Sequence, residues 1–496
     1  MHSEMLPNLS HDGPPQTKLQ DPLSSNSNKA LEALDSPCTP QATRYLYHYS
    51  KSRGRSLAPD EVEAVSGDME VQAKHGVIIN RSLIIESAGK KRAAERYIEY
   101  LPVRKKTRED KSLAANNMSD KQYIPWNAEG VEVEQPGEKE KIWEVSEQFK
   151  RMQMMNFNEH HHCLRGTHLK TQGCVIGRFS VAEGLPPHLA QGMFKKAGHY
   201  DCIMRYSSLT PKLVPDNVPA PRGVGLKVFG VQGEKIWGED KKTQDFTFNN
   251  YPILELRTPK DTCEIADSLE KNWNQLDKFA EYLGKREDAE VACAPAMIPR
   301  QHMVAMTEWS QSAYRYGDYV AKFALFPEGE EQKKLKEVYL TDDDPVNILS
   351  QHTRAFHQNH KVTYSFKVQL LENLQEQPVD DIGVEWDANK YPWQEVARLE
   401  FDPQDSWLPE FRVWWDDRIT VNGWHGLKEH QPLGSTNRMR RVVYAESRKL
   451  RLRVNAYKDY IEPASLAEVP APIPAIFQKI NPEAGQKVAY SSEIKV

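Results

Sequence analysis

The chain has 496 residues and a net charge of −5, a balance that excludes a nucleic-acid binder held by a broadly basic surface. A hydrophobic content of 39% with mean hydropathy −0.69 points to stretches that add nothing to a core. No apolar run approaches the ~18 residues a membrane span needs, and six cysteines without Cys-x-x-Cys spacing read as free thiols of a reducing compartment.

Residues 1–43 are rich in Pro, Ser, Asn and Asp and are expected to form a disordered tail. Residues 44–135 form a basic extension with no assigned role. It holds one apolar stretch, Val77 to Ile85, that reads as a strand or hairpin. Its basic clusters, Lys90-Lys91-Arg92 and Arg104-Lys105-Lys106-Thr107-Arg108, fit a solvated flexible segment better than a nuclear address. Residues 1 to about 130 are therefore expected to be dispensable for cofactor binding. Ile142, Val145, Phe149 and Met152 recur with helical spacing and predict a helix. It leads into His160-His161-His162, consecutive positions that do not converge on one side of a helix.

Short alternating strands follow. Val175, Gly177, Phe179 and Val181 share one face, and Ile203, Arg205 and Ser207 share another. Val224, Leu226 and Val228 alternate, as do Phe246 and Phe248. A helical stripe runs through Ile265, Leu269, Leu276, Phe279 and Leu283. His352, His357 and His360 could place imidazoles near one another on a helix, but no carboxylate or Cys completes a metal set and a solvated face is expected. Strands at Val362 to Leu370 and Ala397 to Phe401 follow, then Trp407, Trp414, Trp415, Trp424 and His425, read as aromatic packing. The periodicity gives an α+β chain whose core spans 136–460, ahead of a Pro/Ala-rich tail at 461–496. The polar N-terminus and an ending, Glu493-Ile494-Lys495-Val496, unlike a peroxisomal address favour a cytoplasmic location.

The chemistry gathers in two segments. In a helix, Arg440 and Tyr444 lie one turn apart on one face. A fixed cation favours the phenolate form of a tyrosine, and anionic Tyr is an axial ligand of ferric haem. Arg451, two turns on, is placed to meet a propionate. Upstream, Arg165-Gly166-Thr167-His168 precedes a strand; on that strand Thr167 and His168 would point to opposite faces, letting His168 face a cavity.

Five segments in order resemble the haem catalase superfamily, in its catalase-like branch of fungi and bacteria. Arg165-Gly166-Thr167-His168-Leu169-Lys170-Thr171-Gln172-Gly173 resembles the distal-histidine motif. Met204-Arg205-Tyr206-Ser207-Ser208 resembles the next strand, and Pro221-Arg222-Gly223-Val224-Gly225-Leu226-Lys227-Val228-Phe229 the one after. Phe248-Asn249-Asn250-Tyr251-Pro252 through Arg257 resembles the segment holding a distal Asn, and Arg440 to Tyr444 the proximal motif. The resemblance implies an antiparallel β-barrel with helical additions and a ferric haem b ligated by Tyr444. It implies His168 as the distal acid–base group, Asn249 as a donor to the peroxide, and Ser207 orienting the imidazole. Arg165, Arg205 and Arg451 would meet propionates, with Thr167 and Arg440 beside the cofactor. Expected substrates are hydrogen peroxide or an organic peroxide, handled by a homo-oligomer that needs neither nucleic acid nor membrane.

One departure bears on the substrate. Thr167 stands where peroxide-dismutating members usually carry Val, and the Thr-His pair resembles catalase-related allene oxide synthases. A hydroperoxide isomerase, or an oxidase of a fungal biosynthetic pathway, is the alternative reading; a sensor or degenerate scaffold is a third, which the full set of pocket residues argues against.

Overall fold

A computed structural model describes residues 122–237, 242–457 and 462–469. The apolar stretch at 77–85, the basic clusters and most of the two tails lie outside these residues. Eight strands close an antiparallel barrel: β1 (Lys170–Val181), β2 (Gly198–Ser208), β3 (Arg222–Phe229), β4 (Thr243–Asn249), β5 (Glu308–Trp309), β7 (Tyr319–Pro327), β8 (Val362–Leu370) and β9 (Gln394–Phe401). The ring runs in that order, with β5 paired to β7 and β9 returning to β1, while β6 (Tyr314–Tyr316) forms a hairpin with β7. Closure leaves those eight strands without an open edge.

Strand alternation sorts the side chains. Phe179, Tyr206, Phe246, Phe248, Phe323 and Phe366 fill the barrel, and burying such rings supplies roughly 1.5–3 kcal/mol each. The alternate residues face outwards. Cys174 and Ile203 meet Trp414 and Trp415 of a helix at Pro409–Asp417. Ser207 is paired with Gly223 on β3, and Gly223 with Asn249 on β4, so the three lie in one row across the outer face.

Helices cover that face. We label them α1 (Glu138–His160), α2 (Pro259–Lys271), α3 (Leu276–Gly284), α4 (Ile348–Asn359), α5 (Pro409–Asp417) and α6 (Ser435–Val454). Ile142, Val145, Phe149 and Met152 of α1 pack on Cys263 and Ala266 of α2 and on Met439 and Val443 of α6. Arg438 of α6 meets Glu138 at 2.6 and 2.9 Å, Glu132 at 2.7 Å and Asp380 at 2.9 Å, which fixes the rotation of α6.

Three expectations differ in detail. The stripe from Ile265 to Leu283 is two helices, because the chain turns between Asn272 and Gln275 after the Thr258-capped α2. Residues 122–131, placed by sequence in the extension, pack on the core. Ile124 N donates to Leu371 O at 2.9 Å, Trp126 N donates to Asp318 O at 3.0 Å, and Val131 is buried with Val320 and Leu371. A deletion reaching residue 130 would thus remove core structure. The solvated face expected for His352, His357 and His360 is not what forms: His357 is fully buried with Nε2 3.1 Å from Tyr206 Oη, and half-buried His352 stacks on His302 at 5.3 Å between ring centroids. No helix among the described residues is long and apolar enough to cross a membrane.

Candidate functional site

His168 is not on a strand, as the sequence suggested. It ends the loop before β1, with φ 52 in the left-handed region that His enters more readily than most side chains. This turn sends its carbonyl to Arg205 Nη2 at 3.0 Å. The loop is held from both sides. Gln153 of α1 donates to Leu164 O at 2.8 Å and to Ser447 O of α6 at 3.3 Å. Gly166 leaves no room for a side chain, since a Cβ there would fall 2.8 Å from Ser447 Oγ. The distal loop therefore rests on α6 one turn beyond Tyr444.

The imidazole's tautomer follows from its neighbours. Ser207 Oγ donates to Gly223 O at 3.1 Å, so its single proton is spent. It must then accept from His168 Nδ1, 2.9 Å away. That leaves Nε2 as the lone-pair nitrogen. Burial, followed by the cations of Arg205, Arg440 and Arg165, pushes the His168 pKa down to about 3. His168 is half-buried.

The two asparagines have separate duties. Asn250 Oδ1 accepts from Arg222 N at 2.7 Å and its amide reaches Met306 Sδ, a role in holding the loop. Asn249 Oδ1 and His168 Cε1 meet over Gly223, where a Cβ would lie 2.6 Å from one and 2.7 Å from the other. Asn249 Nδ2, expected to meet the peroxide, donates to Gln311 Oε1 at 2.6 Å. Gln311 belongs to none of the sequence motifs; its one signal is a polar residue buried at the barrel wall, which a sequence does not display.

Arg165 and Arg205 stand beside His168, and Arg451 stands beside those two. Arg165 Nη2 donates to the carbonyls of Trp415 and, at 2.9 Å, Ile419. Arg205 meets Thr171 Oγ1 at 2.9 Å and Asp416 at 3.2 Å. Arg451 is 3% exposed, and its Nε, like that of Arg165, has no partner among the described residues. Burial, then the cations of Arg451 and Arg205, drives the Arg165 pKa well down; burial, opposed by Asp417 and aided by Arg205, brings that of Arg451 down to about 10. Buried cations with spare donors fit a ligand that brings carboxylates, because an unpaired buried charge is costly. Thr167 is half-buried and its hydroxyl bonds to nothing among the described residues.

On α6, Arg440 Nη1 donates to Ser312 Oγ at 2.9 Å and to Asn437 Oδ1 at 3.4 Å. Its cation acts on both His168 and Tyr314, and Tyr444 also acts on Tyr314. The Arg440–Tyr444 face is thus turned to Tyr314, and Arg440 also towards His168. Tyr444 is half-buried, and its hydroxyl bonds to nothing among the described residues. This donor set, a free phenol on one side and buried guanidinium groups on another, fits a haem.

Another cluster invites a metal. Asp245, Glu462 and His425 are buried together, with His425 Nδ1 3.5 Å from Asp245 and 3.7 Å from Glu462. Lys227 Nζ stands among them, 2.7 and 2.8 Å from the Asp245 oxygens and bonded to Glu462. The lysine supplies the cation, so the group reads as a buried ion-pair network. His162, from the His triplet, bonds Asp417 at 2.7 Å, while His160 ends α1 and His161 caps it. A surface cavity of about 480 Å³ between α1 and the α2–α3 turn is lined by none of the site residues.

No family model matches the chain, and no curated protein matches it. Solved structures that resemble it include a fungal catalase and catalase A from Saccharomyces cerevisiae. Each is 17% identical over 69% of this chain with a TM-score of 0.46, and the match covers 70% and 72% of their own lengths.

Proposed function

We propose that this chain is a haem-dependent oxidoreductase acting on peroxides, with Tyr444 as the axial ligand. One observation carries the reading: a neutral, tautomer-fixed histidine beside buried arginines, two of which keep an Nε without a partner among the described residues, with a tyrosine whose hydroxyl bonds to nothing among the described residues on α6. Arg165, Arg205 and Arg451 would hold the propionates. Bound ferric haem supplies the redox chemistry by which the O–O bond of a peroxide is broken.

The protein's part is proton handling. His168 Nε2 takes the proton from one peroxide oxygen and returns it to the departing one, a role that suits a group neutral at working pH. Ser207 keeps the proton on Nδ1 and so leaves Nε2 free to accept one. The low pKa of His168 comes first from burial and then from the cations of Arg205, Arg440 and Arg165. Two carboxylates at the arginines would cancel part of their push and raise the His168 pKa towards the range useful for a base. Asn249 presents an amide beside the same ring edge.

The test is direct. Protein loaded with ferric haem should release oxygen from hydrogen peroxide or turn over tert-butyl hydroperoxide, and His168→Ala should cut that rate about 10²–10⁴-fold with haem still bound. Wild-type turnover in the His168→Ala variant would contradict the assignment.

A further inference from the structure

Gln311 lies in the loop between β5 and β6, is 2% exposed, and holds its backbone at φ 62. A long side chain in that left-handed region is uncommon. Such outliers persist where the surroundings enforce them, frequently at functional sites. Among the described residues three other non-glycine positions have positive φ, and His168 is one of them.

The bonds of Gln311 admit one orientation. Its Nε2 lies 3.0 Å from Tyr251 O and 2.5 Å from Ile253 O. Backbone carbonyls only accept, so the Gln311 nitrogen must face them and Oε1 must face Asn249. Asn249 must then offer Nδ2, at 2.6 Å. Its Oδ1 is thereby turned to the spot over Gly223 shared with His168 Cε1, and it has no hydrogen-bond partner among the described residues. Neither amide can flip without setting carbonyl against carbonyl.

We propose that Gln311 is the positioning residue of the site, locking the Asn249 amide so that its carbonyl lies against the His168 ring edge. This rests on the peroxide reading above. Gln311 acts through Asn249 and ties the 251–253 segment to it. With the lock removed, Asn249 presents either end of its amide beside His168, and the fixed arrangement is lost for part of the time.

Two variants test it, by a readout in the haem-free protein and one in the loaded enzyme. In ¹⁵N-asparagine-labelled protein without haem, the Asn249 side-chain amide should exchange slowly, and Gln311→Leu should speed that exchange at least tenfold. In the loaded enzyme, Gln311→Leu should lower kcat for hydrogen peroxide about fivefold, the worth of one net hydrogen bond. Gln311→Glu keeps the acceptor for Asn249, but can donate to only one of the 251 and 253 carbonyls, and only when protonated. Its activity should climb towards wild type as pH falls, a trend the wild type lacks. A residue that merely stapled the loop would lower stability without moving that profile. Unchanged amide exchange in Gln311→Leu, or a Gln311→Glu profile parallel to wild type, overturns the proposal. Should Gln311→Leu fail to fold, Gln311→Glu decides by both readouts. Absence of turnover in the loaded wild type would sink the peroxide reading alone, and the exchange measurement would still judge Gln311.

Discussion

Ser207→Ala removes one oxygen from the site and little else. Ser207 is 2% exposed, so water does not replace the hydroxyl. The His168 Nδ1–H loses its acceptor at 2.9 Å. A hydrogen bond is worth about 0.5–1.5 kcal/mol to a neutral group and about 1.5–3 kcal/mol to a charged one. The imidazolium therefore loses about 1–1.5 kcal/mol more than the neutral ring, or about one pKa unit. The sign is fixed: a lost bond that favoured the charged form lowers the pKa, so the ring stays deprotonated to lower pH and is a weaker base. Peroxide turnover should fall about tenfold, and the acid limb of the pH–rate profile should move about one unit down. Haem content should be unchanged. A stopped-flow pH series on loaded wild type and variant measures both quantities. An unmoved acid limb with wild-type turnover would refute the hydrogen-bond relay from Gly223 through Ser207 to His168.

Gly223→Ala would place a Cβ 2.3 Å from the Phe248 carbonyl, against rigid backbone as well as Asn249 and His168; overpacking of this kind costs about 1–3 kcal/mol, and a urea midpoint equal to wild type would contradict the geometry. His168, His302, His357 and His430 are all held by burial at a pKa of about 3 against an ordinary 6.5. The unfolded chain takes those protons first, so stability is full above pH 6.5 and drains away between 6.5 and 3. Glu308, pushed well up, and Glu255, pushed up to about 7, work in the opposite sense but are fewer. The denaturation midpoint in the haem-free protein should fall between pH 7.5 and 5, and a flat or rising curve would count against the buried neutral histidines. Thr167→Val should raise hydrogen peroxide dismutation, because Val keeps the shape and removes the unpaired hydroxyl beside His168; equal or lower turnover would make the threonine incidental.

The barrel wall was legible because period-two alternation is written directly into β2, β3 and β4: Met204, Tyr206, Val224, Phe246 and Phe248 go in, while Arg205, Ser207 and Asn249 go out. The closed ring was not legible from periodicity, since the pairing of β5 with β7 joins a two-residue strand to a distant one. His168 misled the strand reading because a single left-handed residue breaks alternation without leaving a glycine as a mark. Gln311 was invisible for a different reason. Its importance comes from carbonyls at 251 and 253 and an amide at 249, which the fold brings to it. Arg440 was read as the partner of Tyr444 from helical spacing, and its guanidinium instead bonds Ser312 and Asn437, because tertiary acceptors outcompete a neighbour one turn away.

The central claim is that Tyr444 binds haem iron. Ferric haem should be added to purified wild-type protein and to Tyr444→Phe, a change that keeps the ring and removes the oxygen donor. Visible absorption and electron paramagnetic resonance then report the axial ligand. The account predicts a high-spin ferric spectrum with a phenolate charge-transfer band in wild type, and loss of that band with weakened haem retention in Tyr444→Phe. Identical spectra and haem content in the two proteins would contradict it.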